Sequence, residues 1–171
     1  MLTPEQEKWI DHLSDTDQIK IVLFDVTAEE KFQAVKARMQ TVLGSDMTVE
    51  HRGATSLGIS GQDEIDVYIP VSPTGFDSTV TILKALFGEP RSYYPAKRAR
   101  FVTEEAGKHI DIFPINQESS DWKNLVQFET YLSEHPEKLD EYRELKESGN
   151  RLSVREYYRR KTLFINEVLG L

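Results

Sequence analysis

Two stretches of the chain carry residues that could do chemistry. One is His51-Arg-Gly-Ala-Thr-Ser56 with the following Asp63-Glu-Ile-Asp66; the other is His109-Ile-Asp111-Ile-Phe113. In an extended strand residues two apart share a face, so Glu64 and Asp66 project together opposite Ile65 and Val67. By the same rule His109 and Asp111 project opposite Ile110 and Ile112. Like charges roughly 7 Å apart on one pleat oppose folding unless a cation or solvent offsets them. Acids on such a strand can simply face water, but three carboxylates converging from two strands form an oxygen-rich set that suits Mg²⁺, with Mn²⁺ as the alternative. Glu64, Asp66 and Asp111 are therefore the expected catalytic and metal-holding residues. His109 is expected either to ligate or to orient an acid. The glycine turn before them adds a second feature: Gly53 lets the backbone approach a ligand closely, and the N–H groups and hydroxyls of Thr55 and Ser56 could cradle a phosphate. Arg98 and Arg100, on a neighbouring stretch, read either as phosphate contacts or as surface charge.

The surrounding pattern supplies the elements that must position these groups. Glu64 to Val71 alternates with Ile65, Val67, Ile69 and Val71 on one face, which predicts a half-buried strand. A shorter strand is predicted from Met47 to His51. Arg98 to Thr103 and Lys108 to Ile115 flank Glu104-Glu-Ala-Gly107, a hairpin with a four-residue loop. Thr3-Pro-Glu-Gln6, Thr27-Ala-Glu-Glu30 and Ser153-Val-Arg-Glu156 each have the form of a capping box and predict helix starts. From Thr27 the residues Phe32, Val35, Met39, Val42 and Leu43 fall at helical spacing, with Gly44 as a stop, and a second helix is predicted from about Phe76 to Phe87. From Ser119 onward the pattern is helical. The expected fold class is α+β: a mixed sheet with flanking helices, followed by a C-terminal helical part. One domain spanning 1–171 is expected, with an α/β core to about 117 and C-terminal helices over about 118–171.

Composition bounds the function classes. The 171 residues hold 29 Asp and Glu against 21 Lys and Arg, a net charge of −8, and no cysteine. Disulfides, thiolate metal sites and thiol nucleophiles are thereby excluded, and a metal must be held by carboxylate or imidazole. No window reaches the roughly 18–20 apolar residues of a membrane helix, and Met1-Leu-Thr-Pro-Glu lacks the basic start of a signal peptide. A cytoplasmic location and no membrane partner are expected. Residues 1–90 hold 15 acids and 7 bases, whereas residues 91–171 hold 14 of each. Metal-free binding of extended nucleic acid is not expected from such a balance.

A strand, a glycine turn with hydroxyls, a strand with paired carboxylates and a third acid on a later strand resemble the polymerase-beta-like nucleotidyltransferase fold. In that superfamily, the resemblance implies, the acids hold two divalent ions that align a triphosphate with an attacking hydroxyl. More specifically, the chain resembles the GrpB family from roughly Ile19 to Leu169. The family's His-x-Gly-Ser-Thr turn is similar to His51-Arg-Gly-Ala-Thr-Ser56, its Ile-Asp-Ile strand to Ile65-Asp66-Val67, and its His-x-His strand to His109-Ile-Asp111. Its C-terminal pattern is met by Phe128, Tyr131-Leu132, Pro136, Tyr142, Leu145-Lys146, and Tyr157 with Lys161. Ala54 stands where the family usually has Ser, and Gln62-Asp63 where Lys-Pro is common. Glu64 and Asp111 stand where many members carry an apolar residue and a His, which brings this chain nearer the three-acid nucleotidyltransferase pattern.

The resemblance to related folds implies that Lys146 and Lys161, with Tyr157, contact the phosphates of a bound nucleotide; the alternative is a solvated or core role. The expected function is a GrpB-family nucleotidyltransferase-like protein that binds a nucleoside triphosphate with Mg²⁺ and transfers a nucleotidyl group to an acceptor hydroxyl. Gly53, Thr55, Ser56, Arg100, His109, Lys146, Tyr157 and Lys161 are the expected substrate-binding residues. The alternative is a catalytically silent module that binds a nucleotide or a phosphorylated metabolite. Ile21-Val-Leu-Phe-Asp25-Val-Thr27 is similar to the nucleophile strand of haloacid-dehalogenase phosphatases, but Val26-Thr27 leaves no place for that motif's second Asp.

Overall fold

The structure, a computed structural model, describes residues 1–171, which cluster into two compact units. One unit comprises Phe24–Gly58 and Asp63–Lys123 and contains the sheet; the other comprises Met1–Leu23, Ile59–Gln62 and Asn124–Leu171 and is helical.

The sheet unit is built on five strands: β1 (Glu50–Arg52), β2 (Glu64–Val71), β3 (Ser92–Tyr94), β4 (Arg98–Glu105) and β5 (Lys108–Asn116), in the spatial order β1-β2-β5-β4-β3. β2 and β5 run parallel at the centre and the other pairings are antiparallel, so the sheet is mixed. The alternation predicted for Glu64 to Val71 is seen residue for residue: Ile65, Val67 and Ile69 are fully buried and Val71 nearly so, while the even-numbered residues are half-buried. Two helices, α2 (Ala28–Leu43) and α4 (Phe76–Phe87), cover that apolar face. Phe32, Val35 and Met39 of α2 and Phe76, Val80 and Leu83 of α4 join Ala99, Phe101, Ile110 and Ile112 in one core. Gly44 and Gly88 end the two helices with positive φ, as their positions predict.

Several local expectations are corrected. The strand predicted over Met47 to His51 is β1, three residues long and shifted toward the turn. The hairpin loop is two residues, Ala106 and Gly107, rather than four: both have positive φ, so the strands run on until Glu105 pairs with Lys108. Thr27 makes no cap, because the Asp25 carboxylate captures both its hydroxyl (2.6 Å) and its N–H (2.9 Å). Val42 lies outside the core and is largely exposed. β3, a short edge strand, carries too little periodicity to be seen in advance.

The helical unit holds α1 (Pro4–Asp11), α6 (Pro136–Ser148), α7 (Val154–Leu169) and most of α5 (Ser120–Glu134). The box predicted at Thr3 forms in full, with Gln6 N–H donating to the Thr3 hydroxyl and Thr3 N–H to the Gln6 side chain. Ser153 caps α7 through Glu156 N–H, but the Glu156 carboxylate accepts from Arg160 instead of closing the box. Gln6 and the buried Asn166 exchange amide hydrogen bonds of 3.0 and 2.8 Å, tying α1 to α7. Phe128, Tyr142 and Phe164 pack ring on ring at 5.2–6.3 Å between centroids. Gly149 admits no side chain, since a Cβ there would lie 2.5 Å from the Tyr157 ring. No helix is long and apolar enough to cross a membrane.

Candidate functional site

The face of the sheet opposite α2 and α4 carries the acids. In the parallel β2–β5 pair Glu64 stands beside His109, and Asp66 beside Asp111. Because paired residues in a ladder share a face, all four project together. Ligand atoms of Glu64, His109 and Asp111 lie within 4.8 Å of one another, close enough to share one cation. The set gathered at that distance is thus two carboxylates and an imidazole; Asp66, the other expected ligand, sits one register step along the same face with its carboxylate against the glycine turn. A set of two oxygens and one nitrogen still fits a divalent ion that takes carboxylate and imidazole, Mn²⁺ more readily than Mg²⁺.

Asp111 is the pivot. It is buried, and its Oδ1 accepts from Arg100 Nε at 2.9 Å and lies 3.0 Å from His109 Nε2. Arg100, on the adjacent β4, is therefore a holder of the Asp111 carboxylate as well as a cation beside it. This role was hidden in the sequence because it depends on register: residues 11 apart meet only when the hairpin closes at Ala106-Gly107.

The turn predicted to hold phosphate is a single helical turn, α3 (Gly53–Ser56), directly after β1. Gly53 has φ +79°, and a Cβ there would fall 2.1 Å from Asp66 Oδ2. Glycine is thus needed twice, for the left-handed backbone and for the close approach of the Asp66 carboxylate. The Thr55 hydroxyl is 2.8 Å from His51 Nε2, and His51 Nδ1 is 2.8 Å from Glu29 on α2. His51 pairs with Val67 in the ladder and stacks on Phe32, so it belongs to the core face and pins the turn from behind. The Glu29 carboxyl is held below the usual carboxylate range, first by the Gln33 side chain and then by His51. The Ser56 hydroxyl donates to the Gly53 carbonyl. Both hydroxyls expected to face a phosphate therefore also have partners in the chain, Thr55 with His51 of β1 and Ser56 within the turn.

A charged cluster fixes the start of both central strands. Lys108 is buried, with Nζ 2.6 Å from Asp63 and 3.7 Å from Asp25. Asp63, just before β2, has a left-handed backbone with φ +67°. Asp25 also accepts from Lys31 at 2.8 Å, and this bond, with those from Thr27, holds its carboxyl far below the ordinary value. Beyond the acids on the same face, Tyr68 stacks on Phe113 at 4.7 Å and meets Trp122 at 5.8 Å, and Arg52 lies over the Trp122 ring.

The remaining expected residues belong to the helical unit. Lys146 is buried, its Nζ 5.1 Å from the Tyr142 ring centre and 3.5 Å from the Tyr157 hydroxyl; Lys161 Nζ lies 5.4 Å from the Tyr158 ring centre. Tyr157 is fully buried.

A five-stranded mixed sheet with helices on one face, an acid–imidazole cluster on the other and a helical C-terminal part define the class of fold. A family model described as GrpB protein matches residues 18–170. The chain belongs to the GrpB family. It is 25% identical over 149 residues to a UPF0157 protein of Vibrio cholerae, covering 86% of this chain and 78% of the relative. It is also similar to the crystal structure of the conserved protein GrpB from Enterococcus faecalis, with a TM-score of 0.69 and 18% identity over 88% of this chain and 94% of that one. That likeness establishes the shared fold.

Proposed function

We propose that this GrpB-family protein is a nucleotidyltransferase-like enzyme of the polymerase-beta type, which binds a nucleoside triphosphate with Mg²⁺ or Mn²⁺ and transfers the nucleotidyl group to an acceptor hydroxyl. The observation that carries the reading is the convergence of Glu64, His109 and Asp111 within 4.8 Å on two adjacent strands, with Asp66 beside Asp111. A divalent ion bound there would neutralise phosphate charge and polarise the transferred phosphorus. In the transfer the acceptor oxygen bonds to the α-phosphorus, the bond from that phosphorus to the α–β bridging oxygen breaks, and pyrophosphate leaves. A carboxylate of the set takes the hydroxyl proton. Arg100 and His109 hold Asp111 in place, and the Gly53 turn brings backbone close to Asp66.

Titration of ATP and GTP with and without Mn²⁺ tests the proposal. Metal-dependent binding, weakened at least about tenfold in Asp66→Asn and in Asp111→Asn, with pyrophosphate released only when an acceptor is present, is the expected result. Equal absence of binding in the wild type and both variants sinks it. A silent binding module is the second reading, and the engagement of the Thr55 hydroxyl by His51 and of the Ser56 hydroxyl within its own turn favours it. It predicts binding without pyrophosphate release.

A further inference from the structure

The hairpin of β3 and β4 carries a charge pattern opposite to the rest of the chain. Arg91, Lys97, Arg98 and Arg100 fall within ten residues, and no acid lies between Glu89 and Glu104, in a protein with a net charge of −8. β3 is an edge strand, so one side of it has no sheet neighbour. In the register Ser92 pairs with Arg100 and Tyr94 with Arg98, while Arg100 reaches Asp111 on β5. Arg98, Arg100 and Tyr94 therefore share the face that carries Glu64, His109 and Asp111. Moving outward along that face one meets the acids, then Arg100, then Arg98, then an exposed tyrosine at the open edge.

The chemistry of that edge is specific. Arg98 lies 5.8 Å from the ring centres of both Tyr94 and Phe113, within cation–π reach of each. Tyr94 is 53% exposed. Arg91, Lys97 and Arg98 make no ion pair, so their charge is not neutralised within the chain. An edge strand can be blunted against pairing by a single charge or proline, and Pro95 already follows β3. Four cations and an exposed ring on one short hairpin exceed that need. Cations that take phosphate, next to an aromatic surface that takes a base, make up the pair of contacts that binds a nucleotide unit without reading its sequence.

We propose that Tyr94 and Arg98, with Lys97 in the turn between them, form a second binding site that holds a phosphate-bearing nucleotide unit, with the base stacked on Tyr94 and the phosphate on the cations. The site lies on the acid face but level with Ile115, four residues along β5 from Asp111, and the binding does not rest on the nucleotidyltransferase reading. The unit can be a free mononucleotide or the end of a single strand, since the contacts are the same.

The test is a titration of the full chain with 5′-AMP, inorganic phosphate and a four-nucleotide single strand, all in EDTA so that metal-dependent triphosphate binding is absent. AMP is expected to bind more tightly than phosphate. Tyr94→Ala is expected to weaken it about 5- to 100-fold, the size of one base stack, and Arg98→Ala about 10- to 100-fold, the size of one charge-assisted hydrogen bond, while Tyr94→Phe retains the affinity. A single strand that binds more tightly than AMP with the same dependence on Tyr94 and Arg98 identifies the occupant as a strand end; equal affinity identifies a free nucleotide. Absence of AMP and strand binding, or binding unchanged in Tyr94→Ala and Arg98→Ala proteins with wild-type circular dichroism, overturns the site. Because no metal is present, either outcome leaves the Mn²⁺–ATP experiment to decide the catalytic reading independently.

Discussion

The two faces of the β2–β5 pair are made by one stretch of backbone and differ in almost everything else. On one face Ile65, Val67, Ile110 and Ile112 are completely buried against helices α2 and α4. On the other, in the alternate positions, stand Glu64, Asp66, His109 and Asp111. The apolar face makes the strands adhere, and that adhesion holds His109 beside three carboxylates whose mutual repulsion would otherwise separate them. A one-residue slip would exchange the faces, so stability and chemistry are locked to the same register. The largest expected effect falls on the apolar face. Ile112→Ala should cost about 2–5 kcal/mol in urea unfolding, because the cavity it leaves lies against helices that cannot collapse into it. A loss below about 1 kcal/mol would mean that this face is not the source of the adhesion.

The second effect strikes where the faces are joined by the glycine turn. Gly53→Ala would place a Cβ 2.1 Å from Asp66 Oδ2 at a φ of +79°. A loss of about 1–3 kcal/mol is expected from backbone strain and steric displacement, together with weaker Mn²⁺ binding as the Asp66 carboxylate is pushed aside. Thermal unfolding and a Mn²⁺ titration of the same sample check both. Loss of stability with unaltered Mn²⁺ affinity would separate the turn from the polar face.

How much of this contrast was legible in the sequence follows from the range of each interaction. Period-two alternation is local, so the span of β2 and the identity of its acid-bearing side could be read directly, as could the helix ending at Gly88 and the box at Thr3. Pairings between strands are not local. That Asp66 stands beside Asp111 and that His109 joins the cluster at 4.8 Å depend on the parallel β2–β5 register, and that Arg100 holds Asp111 depends on the antiparallel β4–β5 register; no single segment encodes either. The Thr27 box failed for a related reason: its motif was intact, but an acid two residues upstream competed for the same hydroxyl and N–H. The arginines of β4 were visible as charge, whereas their shared face with Tyr94 required β3, which is too short to announce itself.

That same acid, Asp25, gives the third prediction, one that bears on how the strand starts are held. Its carboxyl lies far below its ordinary value because Lys31 and Thr27 donate to the ionised form. A depressed carboxylate adds stability that is present above the unfolded value, near pH 4, and is lost as pH falls toward the folded one. Asp25→Asn should therefore cost about 1–2 kcal/mol at pH 7 and should flatten the decline of stability between about pH 4 and pH 2. Parallel slopes for the two proteins in denaturant titrations across that interval would refute the assignment.

The smallest effect on stability is expected one residue from the largest. Asp111 is buried like Ile112, yet it faces the other side, and Asn in its place keeps an oxygen for Arg100 Nε and much the same volume. The exchange removes a charge-assisted bond but also a buried negative charge flanked by Glu64 and Asp66, two terms of opposite sign. Asp111→Asn should accordingly shift unfolding by no more than about 1 kcal/mol in either direction, while Mn²⁺ affinity falls at least about tenfold. Urea unfolding and Mn²⁺ titration of Ile112→Ala and Asp111→Asn, run side by side, should give opposite patterns: a stability loss with the metal site retained in the folded fraction, and a metal loss with stability retained. If Asp111→Asn instead unfolds the protein as readily as Ile112→Ala, Asp111 serves the fold through Arg100, and the polar face is one more part of the framework.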